Sequence, residues 1–416
     1  FNSFNFQPLP IYVSKSVELF ETTIVRHGIM LIGGSLSGKS VSWKVLSDAL
    51  TKQALETGEG KPVHVEQLNP KAISISELYG FFNPVTSEWS DGVLSKSIRE
   101  CSFSEQSELK WIIVDGPVDS LWIESMNSLL DDNKVLCLPN NERIQLGPHV
   151  KMIFEVDNLN EASPATVSRC GMVYFDPTVL PWSILCDSWQ NNKKEKFPKM
   201  AEIVRQLMDA YLPSMVQFIE VDSECSLPIS SNNAVVNLLS LLDCYISIIR
   251  SPIEKVVDGD ETVMVDPLDQ KPFFSLFSSS EIIPYFNDID EEVIKTVFER
   301  VFLFCLVWSF GGILTDNSRV TFDLFFKELC EKNKSSCPFP TDLTVFDYFA
   351  DLSKLAWTPW CDNSTSMNFT DFKLIEEQMI PTNESASALF LSQLLITNHK
   401  HILVQGPETS KTLIGK

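Results

Sequence analysis

At 416 residues the chain exceeds the usual size of one domain, so two or three packed units are expected. With 44% hydrophobic and 11% aromatic residues it has a globular composition, which excludes a disordered chain. A formal charge of −22, with no run of five or more Lys and Arg, argues against a nucleic-acid grip, since neutralising phosphates needs clustered cations.

The N-terminus, Phe1-Asn2-Ser3-Phe4-Asn5, has no basic stretch followed by an apolar one, so no signal peptide is expected. His27–Ile32, Val63–Leu68, Trp111–Asp115, Lys151–Val156 and Gly171–Phe175 are predicted strands, mostly continuous apolar runs of the kind buried on both faces. Between the first two, Lys39–Leu55 carries Val41, Val45, Leu46, Ala49 and Leu50 at helical spacing. This alternation predicts an α/β unit over residues 1–180, with a parallel sheet and ligand chemistry at the carboxyl ends of its strands.

Between strand and helix stands Gly33-Gly-Ser-Leu-Ser-Gly38-Lys39-Ser40, a full match to a phosphate-binding P-loop. Glycines let backbone amides approach phosphate, the Lys reaches the terminal phosphates, and the Ser ligates Mg²⁺. Asp115 closes the strand at Trp111 and would orient the cation's hydration shell through water; as a bland alternative it caps a turn. The next residue is Gly116, which cannot accept a proton, where hydrolytic ATPases of the AAA+ type usually place Glu. Slow or absent turnover is expected. Asp119 and Glu124 are the nearby carboxylates that would have to substitute, although solvated helix charges are the default for both.

From about Leu180 the strand signals fade. Lys199–Tyr211, Asn232–Ile249, Glu291–Phe310 and Thr321–Lys332 are predicted helices, separated by polar connections around Pro252 and Asp258–Asp260. They define a mainly helical small (lid) unit over 181–341. The apolar run Val301–Leu314 is broken by Ser309, Gly311 and Gly312 and is too short for a bilayer, which takes about 20 residues. No membrane contact is expected. Residues 342–416 read as an incomplete further unit, with an extended segment at Trp357–Trp360, a helix near Ser385–Ile396 and a strand at His401–Val404. The ten cysteines are scattered with no C-x-x-C pair, which points to idle thiols rather than zinc or a redox dithiol.

Several segments together resemble one family. Arg26-His27-Gly28, the P-loop, Pro70-Lys71-Ala72-Ile73, Leu78-Tyr79-Gly80, Glu88–Gly92, Asp115–Asp119, Leu130–Lys134 and Ala165–Met172 are similar to the second AAA+ module of a dynein heavy chain. The likeness runs over essentially the whole chain, more weakly at Val307–Gly312. It implies one of six modules in a motor ring, binding ATP or ADP with Mg²⁺ without being the main hydrolysis site. It further implies that Arg169 is an arginine finger for the neighbouring principal site, and that Asp157 or Asn158 senses the γ-phosphate; the bland alternatives are a surface or ion-paired arginine and a polar loop residue capping the strand.

The segments Val85–Lys96 and Leu138–His149 resemble insertions that face the linker. Implied partners are the adjacent modules and linker of the same chain, intermediate and light chains, and the microtubule through a stalk elsewhere in the chain. Ala162–Thr166 resembles the axonemal form, which implies cytoplasm, cytoskeleton and the ciliary axoneme. Ile380-Pro381-Thr382 resembles the entry to a third module. Its P-loop position, Gly406–Thr412, departs from the pattern, with Gly406 and Lys411 one residue too close and Ser410 in place of Gly. Two other readings stand beside this one. One is a self-sufficient ATPase with Asp119 or Glu124 as base; the other, disfavoured by the helical unit, is a small-molecule kinase.

Overall fold

The computed structural model describes residues 7–103, 107–176, 181–195, 197–227, 229–249, 254–255, 263–264, 291–352, 354–360 and 382–404. The chain divides into two compact units, Phe1–Pro181 and Trp182–Lys416, each with its own core.

In the first unit, α1 (Pro10–Val25) leads into β1 (Gly28–Ile32), the P-loop and α2 (Lys39–Thr57). Then come β2 (Val63–Leu68), α3 (Ile75–Tyr79), a hairpin of β3 (Gly80–Phe82) and β4 (Trp89–Asp91), α4 (Val93–Phe103) and β5 (Leu109–Asp115). Next come α5 (Ser120–Ile123), a 3₁₀ turn at Glu124–Met126 and α6 (Asn127–Leu130). A second hairpin, β6 (Val135–Cys137) with β7 (Arg143–Gln145), precedes β8 (Val150–Val156), α7 (Pro164–Arg169) and β9 (Gly171–Tyr174).

The central sheet has strand order β2-β5-β8-β1-β9, and every pairing is parallel. Its inner strands are near-continuous apolar runs because both faces are covered: Met30, Ile112, Val114, Met152 and Phe154 enter one core, Ile29, Leu31, Ile113 and Ile153 the other. The registers align the carboxyl ends of the inner strands, placing Glu155 opposite both Leu31 and Asp115.

The second unit is built of α8 (Ser183–Lys194), α9 (Pro198–Gln217), α10 (Ser231–Ile249), a short ladder of β10 (Glu254–Lys255) with β11 (Val263–Met264), α11 (Glu291–Phe310) and α12 (Asp316–Lys332). A hairpin of β12 (Tyr348–Asp351) with β13 (Ala356–Pro359) and α13 (Asn383–Thr397) follow. Helix α11 is the axis of this core, with Val301–Val307 almost wholly buried. Tyr348, Phe349, Trp360, Phe390 and Leu394, read from sequence as part of a further unit, join that same core. Residues 401–404, expected as a strand, carry no strand pairing among the described residues. The third-module P-loop position at 406–412, Cys361 and the Pro252 and Asp258–Asp260 connections lie outside the described residues. No helix among those described is long and apolar enough to cross a membrane. The nine described cysteines are free thiols.

Candidate functional site

The P-loop joins β1 to α2 at the carboxyl edge of the sheet. Gly38, the N-cap of α2, has φ 95, a left-handed value that favours glycine, and a Cβ there would strike the Tyr12 ring. At Gly33 the reason is close approach, since a Cβ would collide with the carbonyl oxygen of Phe175. Helix α2 begins without a side-chain cap and without an acidic residue in its first turn. Its leading amides therefore present an uncompensated positive end, which suits an anion.

Lys39 is buried, and its ammonium donates to the carbonyl oxygens of Gly33 and of Gly34, the latter at 2.8 Å. It also lies 3.5 Å from the carboxylate of Asp157, whose side chain is 72% exposed. Of the two residues expected to sense the γ-phosphate, Asp157 is the one whose carboxylate lies near Lys39, whereas Asn158 turns back to accept from the backbone of Asn160. Asp115 ends β5 with its carboxylate exposed and accepts from Gln67 Nε2 at 3.2 Å. An open carboxylate and the hydroxyl of Ser40 are hard oxygen donors, the kind Mg²⁺ takes alongside water and phosphate, so this donor set fits the cation.

One residue of the site was missed from sequence. Glu155 on β8 is 4% exposed, accepts from Ser40 Oγ at 2.6 Å through Oε2, and accepts from the indole N–H of Trp43 through Oε1. Its signal was an acidic residue inside Met152-Ile-Phe-Glu-Val156, since a charge in a strand buried on both faces needs a reason. Beside the loop, a cavity of about 210 Å³ is lined by Tyr12, Lys15, Ser37 and Phe175. Burial pushes the Tyr12 phenol up to about 12, so it stays a neutral hydroxyl at physiological pH.

Of the two candidate substitute bases, Asp119 is already engaged by other groups. Asp119 is buried as the N-cap of α5, accepts from the backbone of Leu121 at 3.0 Å and Trp122 at 3.4 Å, and pairs with Lys71. Burial would raise its carboxyl, but the Lys71 ammonium and the two amides outweigh this and hold it below its ordinary value. Glu124 opens the 3₁₀ turn and is exposed. At Gly116 itself a Cβ would sit 3.1 Å from Asn69 Oδ1 and 3.3 Å from Pro70 Cδ, so the turn after β2 crowds the place where Glu would stand.

Arg169 closes α7, donating to Asp131 and, at 2.7 Å, to the carbonyl of Ala165. It lies just before Gly171, which pairs with Ile29 at the start of β1. The P-loop follows the other end of that five-residue strand, about 16 Å away at about 3.3 Å per residue. Arg169 and the P-loop therefore occupy opposite ends of the sheet.

Comparison with known proteins agrees with this architecture. The sequence profile of the AAA domain (dynein-related subfamily) matches residues 28–170, and that of the dynein heavy chain AAA lid domain matches residues 204–362. Human dynein axonemal heavy chain 12 is 34% identical over 432 residues, covering 100% of this chain and 13% of that protein. Mouse dynein axonemal heavy chain 1 is 33% identical over 433 residues, 98% of this chain and 10% of the relative. The Chlamydomonas reinhardtii dynein-1-beta heavy chain of the flagellar inner arm I1 complex is 34% identical over 417 residues, 97% and 9% respectively. The chain spans about a tenth of the length of these relatives.

Proposed function

The chain belongs to the dynein heavy chains as a dynein-related AAA module with its lid, and from that premise we propose that it is the ring's second module, holding ATP or ADP with Mg²⁺ without turning it over and lending Arg169 to the neighbouring site. The observation that carries this reading is the separation along the sheet of a complete phosphate loop, followed two strands away by Asp115-Gly116, from an arginine at the far end. At its own site the loop amides, Lys39 and Ser40 would hold the phosphates and cation, with Asp115 acting through water. No proton acceptor follows Asp115, and Asp119 is committed to Lys71 and the start of α5. General-base assistance contributes about 10²–10⁴ in rate, so its loss raises the barrier by roughly 3–5 kcal/mol.

Arg169 is too far along the sheet to serve its own P-loop, and a role in trans is the one its position favours. Engaging a neighbour's phosphate would require it to exchange Asp131 for that anion. The ciliary or flagellar axoneme is the setting this reading takes from the relatives' names. The neighbouring modules and linker, the intermediate and light chains and the microtubule belong to the same proposal. The exposed Phe81, Phe82 and Val85 of the first hairpin offer an apolar surface for the linker.

The test has two parts. Lys39→Ala should weaken binding of a fluorescent ADP analogue about 100-fold or more, while single-turnover ATP hydrolysis at this site stays negligible in the parent. In the ring-complete motor, Arg169→Ala should lower ATPase turnover by about 10³-fold or more while nucleotide binding here is retained. Asp131→Asn, which frees the arginine, should leave turnover intact. Normal turnover in Arg169→Ala, or an equal loss in Asp131→Asn, would sink the finger assignment.

A further inference from the structure

Glu155 is a buried carboxylate at the ligand end of the sheet, satisfied by two neutral donors, and no ion pair to it occurs among the described residues. Burying such a charge costs several kcal/mol unless something at the site returns the cost. Strand β8 lies between β1, which feeds the P-loop, and β5, which ends in Asp115. The carboxylate therefore sits directly behind the two groups that fit a cation. Ser40 and Trp43, its donors, are three residues apart on α2 and share a helix face.

We infer that Glu155 is a positioning residue for the divalent cation of this site, acting through Ser40; this rests on the Mg²⁺-nucleotide reading above. A serine hydroxyl has one proton and two acceptor lone pairs. By accepting that proton at 2.6 Å, Glu155 leaves the oxygen of Ser40 presenting lone pairs alone to a cation. It also adds a fixed negative charge behind the hydroxyl, which makes the oxygen a better ligand. Outer groups that orient a ligand in this way are worth about 10–100-fold in metal affinity.

Glu155→Gln separates this role from packing. The amide keeps the shape, and its carbonyl can still accept from the Trp43 indole. Its NH₂ must then face Ser40 and donate to the oxygen, reversing the bond and occupying a lone pair. On the intact protein, a fluorescent ADP analogue is titrated with Mg²⁺ and with EDTA, and Mn²⁺ binding is followed by electron paramagnetic resonance. The Mg²⁺-dependent gain in ADP affinity and the Mn²⁺ affinity should both fall about tenfold or more in Glu155→Gln, with affinity in EDTA unchanged. In a Ser40→Ala background the same change should add nothing.

Trp43→Phe, which removes the second donor and leaves the Ser40 bond, should keep the Mg²⁺ dependence. If the parent protein itself shows no Mg²⁺-dependent binding, the nucleotide-cation reading fails. If the parent does and Glu155→Gln retains it, or Trp43→Phe loses it equally, the positioning role of Glu155 alone is overturned.

Discussion

At the residue scale, the site shows how one side chain's duties exclude another. Asp119 looked like a spare carboxylate because it follows Asp115 closely, yet it caps α5 and binds Lys71. Its folded pKa is depressed, so its charge contributes stability above the unfolded value near pH 4 and loses it as pH falls through the lowered folded value. Asp119→Asn keeps a good N-cap and removes the charge. It should cost about 1 kcal/mol at neutral pH, with the difference from the parent constant between about pH 6 and 8 and shrinking below about pH 4. Urea unfolding across pH measures this, and a difference that persists in acid would contradict the charge account.

At the element scale, the strands were legible because burial on both faces writes continuous apolar runs. Val63–Leu68 matches the predicted bounds, and the other four differ by one or two residues. Helix α1 was not read because its buried face is Ser16, Leu19 and Thr23, with a single apolar residue. The two hairpins escaped as well, being three-residue strands held by tertiary contacts. One contact is Arg99 on α4, which donates to Asp91 at the first hairpin at 3.1 Å and to Glu142 of the second at 3.0 Å. Those carboxylates, Glu142 foremost, push the guanidinium pKa upward, so the arginine stays charged at any working pH. Arg99→Ala should raise amide hydrogen exchange across 80–91 and 135–145 at least severalfold while global stability changes by no more than about 1 kcal/mol, as exposed pairs are weak. Unchanged exchange in both hairpins would rule the clamp out.

At the scale of the whole molecule, each of the two units has its own core, so two unfolding transitions are expected. In the second unit, Glu299 on α11 is 5% exposed and accepts from Ser335 Oγ at 2.7 Å, Ser336 N at 3.1 Å and the Ser336 hydroxyl. This fastens the loop after α12 to the central helix. Glu299→Ala strands those donors and should cost about 3 kcal/mol, lowering one calorimetric transition. Mg²⁺ with ADP should raise the other, which contains the P-loop. A single transition moved by both would show that the units unfold together.

The sequence by itself determined the phosphate loop, the strand that ends in Asp115 and the absence of a carboxylate at Gly116, because those depend on local spacing and residue type. The family likeness rested on the same kind of information. Only the tertiary structure decided which charges are free to act. Parallel strand order brings Glu155 behind Ser40 across a sequence gap of more than a hundred residues, gives Asp119 to Lys71, and separates Arg169 from its own loop by the length of β1. Such pairings cannot be read from spacing, since a buried charge is defined by the neighbours that the fold delivers to it.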